Sequence, residues 1–300
     1  MLDPHMLEKI ENAPGFIAAL DQSGGSTPRA LEVYGIGRGA YSNEDEMFAL
    51  IHQMRTRIMM SPSFASGKII GVILFEKTMT GMAGDKPVPL LLRDLGIAAF
   101  LKIDQGLEKP ADGVQLMKPV PSLGELLERA LASGMAGTKM RSLIHAPSRS
   151  GIKAVVGQQF DLARRILDHG LLPIIEPEVR LDSSDREQCD LLLVDELHAQ
   201  LETIPSGQQV MLKLSLPALP NCYAELIGHP RTARVAALSG GYSRGAACAE
   251  LARNRGMIAS FSRALLQDLR CSMSDEEFDD TLARAIDEIY AASTTKSELV

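Results

Sequence analysis

The sequence predicts a single (β/α)8 barrel, an α/β fold of the TIM type, spanning residues 1–300 as one domain. Three observations carry this. A chain of 300 residues accommodates one barrel of about 250 residues with some extension. Eight short apolar runs recur along it, most of them continuously apolar, as strands buried on both faces require. Amphipathic helical stretches fill the intervals, with no low-complexity linker and no sharp shift in composition. A doubly wound open sheet is the competitor, but the first run lacks the GxGxxG turn of its dinucleotide-binding form.

The runs are Phe16–Leu20, Ile69–Phe75, Ala98–Ile103, Gly137–Met140, Leu172–Ile175, Val210–Leu214, Val235–Leu238 and Met257–Phe261. After the fourth, Ile152, Val155, Val156, Gln159, Phe160, Ala163, Ile166 and Leu167 repeat at helical spacing, and Gly170 suits a helix end. After the eighth, Ser274-Asp-Glu-Glu277 reads as a capping box, followed by a stripe of Phe278, Leu282, Ile286, Ile289 and Tyr290.

Composition narrows the function. Hydrophobic residues make up 45% and charged residues 23%, a globular balance. The net charge of −7 argues against nucleic acid or an anionic membrane as a general partner. Cys189, Cys222, Cys248 and Cys271 show no CxxC spacing, which suggests reduced thiols and a cytoplasmic location. The N-terminal stretch lacks a signal-type apolar segment, and no apolar run is long enough to span a membrane.

A barrel of this kind places its active site at the C-terminal ends of the strands. The polar residues there are Asp21 after run one, Lys102 in run three, Lys139 and Arg141 at run four, Glu176 and Glu178 after run five, Lys213 in run six, Ser239-Gly240-Gly241 after run seven, and Arg263 after run eight. Singly, each is more often a snorkelling lysine, an Asx turn or a plain loop. Together they are costly charges in apolar runs, gathered at one level. Lys213 has the most apolar neighbours and suits a Schiff-base nucleophile, with Lys139 as a neighbouring cation. Glu176 would supply the proton for loss of water from a carbinolamine, and Asp21 would act as base on a substrate hydroxyl. Ser239, Gly240, Gly241 and Arg263 form one phosphate cradle; Ser23, Ser26 and Lys102 suggest another across the mouth. Two cradles flanking one lysine point to a substrate phosphorylated at both ends.

At these residues the sequence resembles the class I (Schiff-base) fructose-1,6-bisphosphate aldolases, particularly the shorter bacterial type. FIAALDQSGGSTPRAL, GVILFEKTM, FLKIDQG, ADGVQLMKP, GTKMRS, LLPIIEPEV, VMLKLSLP, VAALSGGYS and IASFSRAL fall in the family's order over nearly the whole chain. The resemblance implies reversible cleavage of fructose 1,6-bisphosphate to dihydroxyacetone phosphate and glyceraldehyde 3-phosphate, with no metal or other cofactor. By motif, Lys213 matches the Schiff-base lysine, Glu176 the acid/base of carbinolamine chemistry, Lys139 the cation beside the imine, and Asp21 the carboxylate at the C4 hydroxyl. Ser239, Gly240 and Arg263 match one phosphate site; Ser23, Ser26 and Lys102 contribute to the other. The family commonly forms homo-oligomers. The chain departs from the animal enzymes in having Gln22 after Asp21, Met140 between Lys139 and Arg141, and no terminal tyrosine. That leaves Glu176, water or Tyr290 as the proton-transfer group at C3. A metal-dependent aldolase fits poorly, because His5, His52, His145, His169, His198 and His229 are scattered and none ends a strand. Two further competitors are a Schiff-base lyase for singly phosphorylated sugars and a non-catalytic sugar-phosphate binder.

Overall fold

The computed structural model describes residues 3–23, 25–183 and 185–297, and its eight long strands close into a ring. They are β1 (Phe16–Leu20), β2 (Ile69–Leu74), β3 (Ala98–Lys102), β4 (Gly137–Ile144), β5 (Leu172–Val179), β6 (Val210–Ser215), β7 (Thr232–Leu238) and β8 (Ile258–Phe261). Each runs parallel to its sequence neighbours, and β8 pairs back onto β1. The sequence locates all eight but stops two of them four residues early; it also ends β6 one residue early and begins β7 three residues late. β4 continues past Met140 to Ile144, and β5 past Ile175 to Val179. The apolar pattern ends at those points because Arg141, Glu176 and Glu178 turn into the barrel, while the backbone ladder continues unbroken from Gly137↔Leu172 to Ile144↔Val179.

Strand alternation is hidden because both faces are buried. One face packs on the helices; the other fills the barrel. Registers such as Ile17↔Gly71, Phe100↔Gly137, Ile174↔Met211, Lys213↔Ala236 and Ile17↔Ser260 give the shear expected of this barrel, about eight residues per circuit. They sort the interior side chains into layers of four from alternate strands. One layer holds Ile17, Phe100, Ile174 and Ala236. The next holds Ile73, Lys139, Lys213 and Ser260, and the one above it Ala19, Lys102, Glu176 and Leu238. Phe100 sets the floor. Gly137 makes room for it: a Cβ there would sit 2.9 Å from the ring and 1.9 Å from the Leu172 carbonyl oxygen.

Helix α1 (Pro4–Asn12) covers the N-terminal end of the barrel. Its Ile10, with Met6, Leu7 and Ala13, packs on the interior cluster, and Arg234 donates to the Ile10 and Ala13 carbonyls at 2.8 and 3.0 Å. Among the outer helices are α2 (Ser26–Tyr34), α3 (Glu44–Met60), α4 (Val88–Asp94), α5 (Leu123–Ala132), α6 (Arg149–Asp168), α7 (Arg186–Leu201), α8 (Arg244–Ala252) and α9 (Asp275–Thr294). α6 buries the predicted stripe, and Gly170 follows it at φ 75°, a left-handed conformation suited to glycine. α9 starts with the predicted capping box of Ser274 and Glu277. No helix among the described residues is long and apolar enough to cross a membrane.

Candidate active site

The C-terminal ends of the strands open into a cleft of about 1270 Å³. At its base is a chain of ion pairs. Lys139 Nζ lies 2.6 Å from Asp21 Oδ2 and 3.0 Å from Glu176 Oε2, and Lys213 Nζ lies 3.1 Å from Glu176 Oε1. All four residues are buried, with Lys213 4% exposed. The strands put them there: Lys139 and Lys213 share a layer, Glu176 stands in the layer above, and Asp21 directly follows β1.

Burial alone would neutralise such groups, but they hold one another charged. For Asp21, burial opposes ionisation, yet Lys139 and Lys213 outweigh it and keep the carboxyl well below the usual carboxylate range. Glu176 is shifted in the same direction against its own burial, by Lys139, Lys213 and Arg141. Lys139 is held above the ordinary lysine range, its burial overcome by Asp21 and Glu176. Glu176 is therefore an anion in the resting site. To act as an acid it must first collect a proton, and the Lys213 ammonium is the group beside its Oε1.

Higher in the mouth, Arg141 Nε meets Glu178 Oε2 at 2.5 Å. Lys102 Nζ is engaged by Asp104, at 2.7 Å from Oδ1 and 2.5 Å from the carbonyl oxygen. Ser23 and Ser26 lie at the rim and bond each other: Ser26 Oγ donates to the Ser23 carbonyl and accepts the Ser23 N–H. Gly24, within the same motif, falls outside the described residues. On the other side of the cleft, Gly240 and Gly241 take φ of 58° and 123°. A Cβ on Gly241 would lie 3.8 and 3.9 Å from Arg263 Nη2 and Nη1, so the guanidinium faces the bare glycine backbone. Buried Ser239 and exposed Arg263 line the same cleft. The loops are braced from behind by Arg244, which bridges Asp268 and Glu288 at 2.6 Å each.

Three residues in or directly behind the mouth are not singled out by the sequence pattern. Arg55 of α3 is 1% exposed and donates to the Gln22 carbonyl and to Thr78 Oγ1. Burial pushes its pKa down to about 10, and the nearby Asp21 charge partly offsets this. A cation in the stripe of Met47, Ile51, Met54 and Ile58 is the signal that could have found it. Asp104 is buried beside Lys102, two residues along the chain, a spacing that puts them on one face. Exposed Arg29 of α2 also lines the cleft.

Tyr290 does not reach the mouth. Its ring lies 5.7 Å from the Nζ of Lys68, the residue preceding β2, so it sits at the opposite end of the barrel. The helical stripe carries it there, since α9 runs down the outside from the C-terminal to the N-terminal face. Among the described residues, the one grouping of metal-ligand size is His198, Glu202 and His229. It too lies away from the mouth, at the start of β6 and β7. His229 Nδ1 accepts the Arg231 N–H at 3.1 Å, which leaves Nε2 protonated toward Glu202 and unsuited to a metal.

Comparison with solved structures supports the architecture. The chain is similar to fructose-bisphosphate aldolase from Plasmodium falciparum, solved in complex with TRAP and a small-molecule inhibitor, with a TM-score of 0.78, 17% identity and coverage of 98% of this chain and 95% of that one. It is also similar to Cgl0159 of Corynebacterium glutamicum, with a TM-score of 0.54, 14% identity and coverage of 97% and 92%. At these identities the likeness is one of fold. The model of the class-I fructose-bisphosphate aldolase family matches residues 10–215. That span contains Asp21, Lys139, Glu176 and Lys213 and ends at the last residue of β6, before the Ser239 and Arg263 loops. With more than half of its length matched, the chain belongs to the class-I fructose-bisphosphate aldolase family.

Proposed function

We propose that the protein is a lyase that cleaves fructose 1,6-bisphosphate reversibly to dihydroxyacetone phosphate and glyceraldehyde 3-phosphate through an imine on Lys213. The observation that carries this is the buried sequence of contacts Asp21–Lys139–Glu176–Lys213, at 2.6, 3.0 and 3.1 Å. The Lys213 ammonium gives its proton to Glu176 Oε1, leaving a free amine. The amine lone pair attacks the C2 carbonyl, whose π pair moves to oxygen; a proton passes from nitrogen to that oxygen and gives a carbinolamine. Glu176 returns its proton to the hydroxyl, which leaves as water, and the iminium forms. Asp21 then takes the C4 hydroxyl proton, and the C3–C4 electron pair moves into the iminium as the aldehyde departs. Lys139 keeps Asp21 and Glu176 ionised between steps and offsets their mutual repulsion.

Ser239, Gly240, Gly241 and Arg263 hold one substrate phosphate, and Ser23, Ser26, Lys102 and Arg141 serve the other end. Arg29 joins them, because Lys102 and Arg141 are already ion-paired. The enzyme needs no metal, works in the cytoplasm in glycolysis and gluconeogenesis, and takes its phosphorylated sugar as its principal partner. Its family makes a homo-oligomer of this chain the natural assembly. The test is turnover in the presence of a chelator, comparing fructose 1,6-bisphosphate with fructose 1-phosphate and deoxyribose 5-phosphate. Preference for the bisphosphate in chelator supports the reading. Preference for a monophosphate, or loss of turnover on chelation, contradicts it.

A further inference from the structure

The two phosphate cradles stand on loops from different strands, and one side chain spans the gap between them. The β1–β8 ladder pairs Ile17↔Ser260 and Ala18↔Phe261 and stops there, below the loops that carry Ser23 and Arg263. Above it, Gln22 Nε2 donates to Ser262 Oγ at 2.6 Å, and both residues line the cleft. Gln22 directly precedes Ser23, and Ser262 directly precedes Arg263, so this bond ties one cradle to the other. Behind it is Arg55, which donates to the Gln22 carbonyl, lies 3.4 Å from Gln22 Oε1, and reaches Thr78 Oγ1 in the segment after β2 at 2.7 Å. A guanidinium only donates, so Oε1 must face Arg55 and the amide nitrogen must face Ser262. Among the described residues Arg55 forms no ion pair, and its bonds go to neutral oxygens. A buried cation without a counter-charge is costly, and a methionine would suit the apolar stripe of α3 without that cost. What the arginine adds is a fixed Gln22, held by backbone and amide together.

We propose that Gln22 is a positioning residue that sets the preference for a substrate phosphorylated at both ends, by fixing the span between the cradle of Ser239, Gly240, Gly241 and Arg263 and the cradle of Ser23, Ser26 and Lys102. This rests on the two-phosphate reading above. A bisphosphate gains from its second cradle only when both phosphates fit at once. With the span fixed beforehand, no affinity is lost to ordering the two loops around the substrate. A substrate with a single phosphate touches one cradle and is indifferent to the span. Gln22 thus acts through the loops of Ser23 and Arg263 rather than by contact with substrate. Lys139, Glu176 and Lys213 project from β4, β5 and β6, so imine formation does not depend on this bond.

The experiment compares kcat/KM for fructose 1,6-bisphosphate with that for fructose 1-phosphate in the wild type, Gln22→Met and Gln22→Glu, alongside borohydride trapping of dihydroxyacetone phosphate. Gln22→Met keeps the side-chain length and removes its hydrogen bonds. Its bisphosphate-to-monophosphate ratio should fall about tenfold, the worth of one net hydrogen bond, while fructose 1-phosphate turnover and trapping stay close to wild type. Gln22→Glu supplies a carboxylate that accepts from both Arg55 and the Ser262 hydroxyl, so it should restore most of the ratio. An unchanged ratio in Gln22→Met, or an equal fall on both substrates, overturns the proposal. So does a ratio in Gln22→Glu as low as that of Gln22→Met. A wild type with no preference for the bisphosphate overturns the two-phosphate reading instead, and that result is seen before any variant is compared.

Discussion

Beneath Lys139 and Lys213 the barrel interior is Ile17, Phe100, Ile174 and Ala236; above them it includes the charged Lys102, Glu176, Arg141 and Asp21 beside Ala19 and Leu238. The same eight strands supply both halves. Below, the side chains interlock, α1 closes the end, and Arg234 fastens the helix with two bonds to its last carbonyls. Above, the end is open, and stability gives way to charges that must satisfy one another. A shift of one layer separates packing from chemistry. The floor closes the cleft from below, and it fixes the backbone from which the lysines project.

Lys213→Met should separate the halves most sharply. Cleavage of fructose 1,6-bisphosphate should fall by at least about 10⁴-fold while far-UV circular dichroism stays native, since the change removes the proposed nucleophile and leaves the floor intact. Phe100→Ala should do the reverse. It should cost about 3–5 kcal/mol in denaturant unfolding, because the ring rests against Gly137 and Gly71 with nothing to refill its space. The variant should still turn over at temperatures where it remains folded.

The third prediction joins the halves through pH. Asp21 and Glu176 have depressed folded-state pKa values. Their contribution to stability is therefore present above the unfolded value of about 4 and is lost as pH falls through the lower folded values. Lys139→Met removes the cation that depresses them. The fall of Tm on acidification should begin at higher pH in that variant than in the wild type. An unshifted acid limb would mean that the ion pairs do not set the acid stability. The smallest expected effect is at the rim. Arg263→Ala should raise the inhibition constant for inorganic phosphate by about tenfold, the scale of one charge-assisted contact, and change kcat less.

Most of the floor is legible in the sequence, because eight apolar runs and their intervening helices obey simple burial rules. The charged half is legible by exception: Lys102, Lys139 and Lys213 interrupt runs that should contain no charge. The strand ends are harder. By apolarity alone β4 and β5 stop where Arg141 and Glu176 begin, since that rule cannot follow a strand whose inward face becomes ionic. Arg55 and Asp104 are hidden for a related reason. Their value comes from Gln22, Thr78 and Lys102, and two of those contacts join segments distant in sequence. Tyr290 shows the opposite error. A sequence pattern places it on a helix without giving the helix a direction over the barrel.

Whether Lys213 is the nucleophile is decided by borohydride reduction of the protein with dihydroxyacetone phosphate in the presence of a chelator, followed by peptide mapping by mass spectrometry. A reduced adduct is expected on Lys213 alone, with Lys139 unmodified because Asp21 and Glu176 hold its charge. An adduct on Lys139, or none on any lysine, would contradict the imine mechanism.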